Sequence, residues 1–104
     1  MSVAVLTESN FYSTIGTGVA LVDFWATWCN PCLLQLDVTE ELDTEMGDDV
    51  VFGKVDVDEE EGLAEQFEIT ALPTIIIFKN GQPVDIMAGS KSKAYLKQKL
   101  ESYL

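Results

Sequence analysis

The chain contains no histidine and no arginine, and its six basic residues, all lysine, face eighteen acidic ones. Without histidine there is no Ser-His or Cys-His catalysis and none of the usual zinc ligand sets, so acid–base work near neutral pH falls to a carboxylate, lysine or tyrosine. A formal net charge of -12 repels nucleic-acid phosphates and anionic lipid surfaces alike. Neither nucleic acid nor membrane is expected as a partner. Cysteine is also scarce: there are 2, and two thiolates cannot complete a four-ligand structural zinc site. No metal and no cofactor are expected, and whatever chemistry exists should involve that pair. The first twenty residues hold no lysine and no long apolar run, so neither a secretory signal nor a membrane span is expected and the reading is cytoplasmic.

What is present is a core. Hydrophobic residues make up 47% of the 104 residues and charged residues 23%, close to the average soluble domain, which excludes a disordered or collagen-like chain. Length and composition give one domain over residues 1–104, expected to be a monomer. Charge is uneven. Between Asp37 and Glu68 lie fourteen acids and one base, Lys54, whereas from Ile69 onward there are five lysines and two acids. Solvated faces are the ordinary reading of such runs, and a surface selecting basic partners is the sharper one.

Strand and helix patterns alternate along the chain. Residues 2–5 read as a short strand and 8–15 as a helix with Phe11, Tyr12 and Ile15 on one side. The nearly unbroken apolar run from Val19 to Ala26 fits a strand covered on both faces. From Pro31 to Met46 a helix is expected, with Leu34, Val38, Leu42 and Met46 recurring every four residues and Gly47 placed to stop it. Val50 to Val57 reads as the next strand, followed by a short helix capped by Asp58, with Glu61 completing the start and Leu63, Ala64 and Phe67 facing inward. Thr74 to Lys79 precedes Asn80-Gly81, a strong hairpin signal that requires antiparallel neighbours. A final helix, capped by Ser90, carries Tyr95, Leu96, Leu100, Tyr103 and Leu104 on its apolar side. The order β-α-β-α-β-α-β-β-α gives a three-layer α/β/α domain with one antiparallel hairpin at an edge.

The sequence Trp28-Cys29-Asn30-Pro31-Cys32 falls directly after a central strand and at the start of a helix. Cysteines at i and i+3 in a first helical turn lie about 5 to 6 Å apart between Cα atoms, the separation a disulfide needs. The first-turn N–H groups and the helix dipole favour negative charge at Cys29 by about 0.3 to 1 kcal/mol. Cys29 therefore reads as the attacking thiolate. Cys32, one turn further in and shielded by Pro31, is placed to resolve a mixed disulfide on its neighbour. Three other readings exist: a structural disulfide, half of a metal site shared with a second chain, and idle thiols. A structural bridge closing so small a ring removes little unfolded-state entropy, and proline between the cysteines with no further ligand argues against a metal.

On these residues the chain resembles the thioredoxin family. The likeness is carried by Val22-Asp23-Phe24-Trp25-Ala26-Thr27-Trp28-Cys29-Asn30-Pro31-Cys32, Lys54-Val55-Asp56, Ala71-Leu72-Pro73-Thr74, Phe78-Lys79-Asn80-Gly81 and Gly89, and it covers essentially the whole chain. It implies a five-stranded mixed sheet flanked by four helices. It further implies reduction of protein disulfides through Cys29 and Cys32, with electrons from a flavoprotein thioredoxin reductase. Asp23 stands among Leu21, Val22, Phe24 and Trp25, where an unpaired carboxylate is costly and its pKa should rise. The resemblance makes it the acid–base group serving Cys32, with Lys54 tuning its charge. It makes Pro73 a cis-proline that presents Ala71-Leu72 for a substrate to pair with as an added strand. Trp28, Asn30 and Pro31 belong to the same substrate surface, and Gly89 allows close approach of the substrate. A thioredoxin-like binding module with an idle redox pair is the alternative from another functional class, and an exported oxidase or isomerase is a third reading. The missing histidine sets the pair apart from the dipeptides of oxidising relatives. Three positions depart from the family pattern: Asn30 replaces glycine, Leu33 stands where a basic residue is common, and Asp37 replaces a helix-kinking proline.

Overall fold

A computed structural model describes residues 2–104. The central apolar run forms strand β2 (Val19–Trp25), preceded by β1 (Ala4–Val5) and helix α1 (Phe11–Ile15). The remaining elements follow as α2 (Asn30–Met46), β3 (Val50–Asp56), α3 (Glu61–Gln66), β4 (Thr74–Lys79), β5 (Gln82–Ala88) and α4 (Lys93–Tyr103). They build one five-stranded sheet of order β1-β3-β2-β4-β5. β1 and β2 both run parallel to β3, while β4 runs antiparallel to β2 and to β5. The expected mixed sheet with its hairpin at an edge is therefore present. Asn80 (φ 51°) and Gly81 (φ 82°) both occupy the left-handed region, which a tight two-residue hairpin turn requires. Pro83, which has no N–H to offer, sits on the edge strand beside the register shift at Ile77/Phe78.

Alternation along the strands divides the core in two. Val19, Leu21, Phe52, Ile75 and Ile77 pack with Leu42 and Met46 of α2 and Leu96 and Leu100 of α4. On the other face Val22, Phe24, Ile76 and Phe78 pack with Phe11 and Ile15 of α1 and Leu63 of α3. Three layers result, with β2 in the middle. Asp23 lies on the α2 side, in register with Lys54 on β3 and Ile75 on β4.

Several boundaries differ from the sequence reading. α1 begins at Phe11 because Asn10 folds back, its Oδ1 accepting the Thr7 N–H at 2.7 Å and its Nδ2 donating to the Val5 carbonyl at 3.1 Å. Asp58 does not cap α3: the capping position is Glu60, which makes no side-chain cap bond, and Asp58 is drawn into the loop by its own N–H donating to Asp56 Oδ1 at 2.9 Å. Ser92, not Ser90, caps α4, its Oγ accepting the Tyr95 N–H at 3.1 Å. Gly47 does end α2, but with right-handed backbone (φ −63°). The largest correction concerns the face of α2. Leu34 is 71% exposed, whereas Gln35 and Thr39 are buried beside Cys32, Leu42 and Met46.

Candidate functional site

β2 ends at Trp25, a short loop follows, and Cys29 occupies the N-cap of α2 in extended conformation (φ −99°, ψ 102°). Its Sγ accepts the Cys32 N–H at 3.3 Å, so the first cysteine itself satisfies one of the helix's free donors. Pro31 lies in the first turn, where no intrahelical partner for an N–H is needed. One turn of helix brings the two cysteines to a Cα–Cα distance of 5.2 Å, and they are joined in a disulfide. Cys29 is 7% exposed and Cys32 0%. Both pack against Ala26, with Trp25, Val57 and Leu72 alongside.

Cys29 opens onto a cleft of about 500 Å³ bounded by Trp28, Asn30 and Pro31 on one side and Ile69, Thr70 and Leu72 on the other. Trp28 is 68% exposed, yet its ring is held: Nε1 donates to Asp58 Oδ2 at 2.8 Å. The Leu72-Pro73 bond is cis, as the resemblance implied. Two hydrogen bonds fix this turn, Thr74 Oγ1 donating to the Ala71 carbonyl at 2.5 Å and the Gly89 N–H donating to the Pro73 carbonyl at 2.8 Å. Among the described residues, no backbone hydrogen bond engages the N–H or C=O of Leu72. Ala71 and Gly89 do not line the cleft itself; the bonds just described tie both to the proline turn beside it.

On the central strand, facing α2, Asp23 is fully buried. Its Oδ2 accepts from Thr39 Oγ1 at 3.2 Å, while Oδ1 is without a partner among the described residues. Loss of water pushes the carboxyl up to about 7; the Thr39 hydrogen bond and the positive charge of Lys54 pull the other way without cancelling it. The Lys54 ammonium stands 5.6 Å from the centroid of the Trp25 ring, within cation–π range. Among the described residues, no group of three His, Cys, Asp or Glu side chains is arranged to hold a metal.

The structure thus brings Trp28, Cys29, Asn30, Pro31, Cys32 and Leu72 together, while Asp23 and Lys54 stand in register on neighbouring strands of the sheet. Sequence reasoning missed Thr39, Asp58 and Gln35. The sequence reading makes Asp58 a helix cap and not the partner of a tryptophan thirty residues earlier. Thr39 and Gln35 lie beside the Leu34, Val38, Leu42 and Met46 spacing, so apolar periodicity carried no signal for them.

Comparison with known proteins agrees with this geometry. A family model described as Thioredoxin matches residues 2–102. A thioredoxin from Staphylococcus saprophyticus is 43% identical over 104 residues, covering all of both chains. Among solved structures, a Malassezia sympodialis thioredoxin superposes with a TM-score of 0.88 at 40% identity, covering 98% of this chain and 90% of that one. A point mutant of a Halobacterium salinarum thioredoxin gives 0.92 at 30% identity with the same coverage. A disulfide at the start of a helix, a cis-proline turn and a buried acid on the central strand stand on a fold shared with these proteins. The chain belongs to the thioredoxin family, and its Cys29–Cys32 pair makes it a thiol–disulfide oxidoreductase.

Proposed function

We propose that this oxidoreductase reduces protein disulfides with Cys29 as the attacking thiolate, Cys32 as the resolving thiol and Asp23 as the group that handles the resolving proton. The observation that carries the assignment is asymmetric access: Cys29 borders the cleft, and Cys32 lies beneath it with no exposed surface. In the dithiol form the Cys29 thiolate attacks one sulfur of the target disulfide. That S–S bond breaks, one target thiolate leaves, and Cys29 is joined to the other target sulfur. Asp23, as carboxylate, takes the proton of the Cys32 thiol, and the resulting thiolate attacks the Cys29 sulfur. The second target thiolate departs and the Cys29–Cys32 disulfide closes, two electrons having passed to the target.

A carboxyl titrating near 7 holds or releases a proton at the pH where the step occurs, which is what a proton carrier for a thiol needs. Lys54 tunes that charge from the neighbouring strand. The substrate lies as an extended segment across Trp28, Asn30 and Pro31, pairs with the backbone at Ala71-Leu72 before Pro73, and passes Gly89.

Members of the family work with thioredoxin reductase and disulfide substrates. The electron donor proposed here is a flavoprotein thioredoxin reductase, and the working form is a monomeric single domain over residues 1–104 that engages neither nucleic acid nor membrane. Among the described residues no helix is long and apolar enough to cross a membrane. A reducing cytoplasm suits a dithiol that must be regenerated after each turnover. Trapping tests the division of labour. Cys32→Ser should accumulate a mixed disulfide through Cys29 with target proteins, and Cys29→Ser should capture almost none. Equal trapping by both variants would overturn the assignment.

A further inference from the structure

The inward face of α2 buries three polar side chains, Gln35, Thr39 and Asp43, among its apolar ones. Thr39 is accounted for by its bond to Asp23. Gln35 is not, although it lies one turn beyond Cys32 and is only 2% exposed. A buried amide is costly unless both its donor and its acceptor are satisfied. Here a single residue of another segment satisfies both: the Lys91 N–H donates to Gln35 Oε1 at 2.8 Å, and Gln35 Nε2 donates to the Lys91 carbonyl at 3.1 Å. The side chain imitates a strand neighbour, giving two-point recognition of one backbone unit. Apolar burial alone would be served better by leucine, so the amide's purpose lies in what it holds.

It holds the segment between the end of β5 and the cap of α4. Two residues before Lys91 stands Gly89, whose N–H donates to the Pro73 carbonyl at 2.8 Å. Gly89 has φ +87°, and a Cβ built there would meet nothing within 4 Å, so the space beside it is open. The segment is therefore fixed at two points. Gly89 is tied to the cis-proline turn, and Lys91 is tied to the helix that carries both cysteines. We propose that Gln35 is a positioning residue for substrate recognition, its two hydrogen bonds to Lys91 setting where the wall at Gly89 stands relative to the disulfide. The inference rests on the reading above that an extended substrate chain passes Gly89. It adds the chemical class that feels the clamp: disulfides flanked by peptide, as opposed to small disulfides without flanking chain.

The test is steady-state reduction of insulin and of a small aromatic disulfide by wild type, Gln35→Met, Gln35→Glu and Gly89→Ala. Gln35→Met keeps the length and loses both bonds. Its KM for insulin should rise about three- to tenfold with kcat within about twofold, and the small disulfide should report a much smaller change. Gln35→Glu adds a rescue. When protonated, its carboxyl both donates and accepts as the amide does, so its KM relative to wild type should be near one at acidic pH and climb as the carboxyl ionises. In wild type the Lys91 amide should be protected from hydrogen exchange, a measurement that stands even where a variant folds poorly. An unchanged insulin KM in Gln35→Met, equal losses with both substrates, or an unprotected Lys91 amide would each overturn the clamp. If Gln35→Met leaves KM unchanged while Gly89→Ala, which also strains the backbone at φ +87°, raises it, the clamp falls. If neither raises it, the substrate path past Gly89 is wrong and the clamp falls with it.

Discussion

Replacing Asp23 by asparagine should make the oxidised protein more stable, and by an amount that grows with pH. The cause is desolvation. The carboxyl titrates at 3.8 as an ordinary group and near 7 in the fold, so between those values the folded state holds a proton that the unfolded chain has already released. The stability this proton supplies is complete below about pH 4, is lost as pH rises through the folded value, and is gone above it. At about 1.4 kcal/mol per pH unit the whole window is worth about 4 kcal/mol. Part is already lost at about pH 5, where an unfolded carboxyl is mostly ionised. Between about pH 5 and about pH 8 the advantage of Asp23→Asn over wild type should therefore widen by about 2–3 kcal/mol. Other titrating groups are shared by both proteins and cancel in the difference. Urea unfolding of the oxidised forms reads the effect as a midpoint difference growing by about 1–2 M across that range. Parallel stability curves for the two proteins would refute the reasoning, because they would mean that Asp23 keeps an ordinary pKa in the fold. The same variant should slow turnover most where resolution by Cys32 limits the rate.

Leu33 is 41% exposed in the first turn of α2, at a position where the family resemblance leads one to expect a basic residue. Leu33→Lys should lower KM with a reductase adapted to an ordinary thioredoxin, through restored charge complementarity; an unchanged KM removes Leu33 from the recognition surface. Ser92→Ala should cost about 1 kcal/mol in thermal or urea unfolding through loss of the α4 cap, while Ser90→Ala should stay within about 0.5 kcal/mol.

The layers and strand order were readable because the signals were redundant. The run from Val19 to Trp25 lacks polar alternation, as a doubly covered strand must, and Asn80-Gly81 forces β4 and β5 to be neighbours. The cysteines were readable for the same reason, since a two-cysteine motif directly after such a strand has few alternatives. Element starts were harder. Asp58, Ser90 and Ser92 are all chemically able to cap, and which one does depends on where the preceding loop arrives. Asp56 settles this for α3 by taking the Asp58 N–H, and Asp58 is then free to hold Trp28.

The face of α2 shows why the rest was not readable. Hydrophobic spacing favours the stripe through Leu34, and the structure buries the one through Cys32, Gln35 and Thr39. Rotating the helix to bury Leu34 would gain apolar contact, but it would turn Cys32 out of its buried place and leave Asp23 without its hydroxyl donor. An unsatisfied buried carboxylate costs more than an exposed leucine forfeits. The bonds that decide the rotation join Thr39 to a residue sixteen positions away and Gln35 to one fifty-six positions away, beyond the reach of any local periodicity. The polar residues of that buried stripe are thus the ones that orient the helix. Because the helix carries both cysteines, they also orient the disulfide toward the cleft.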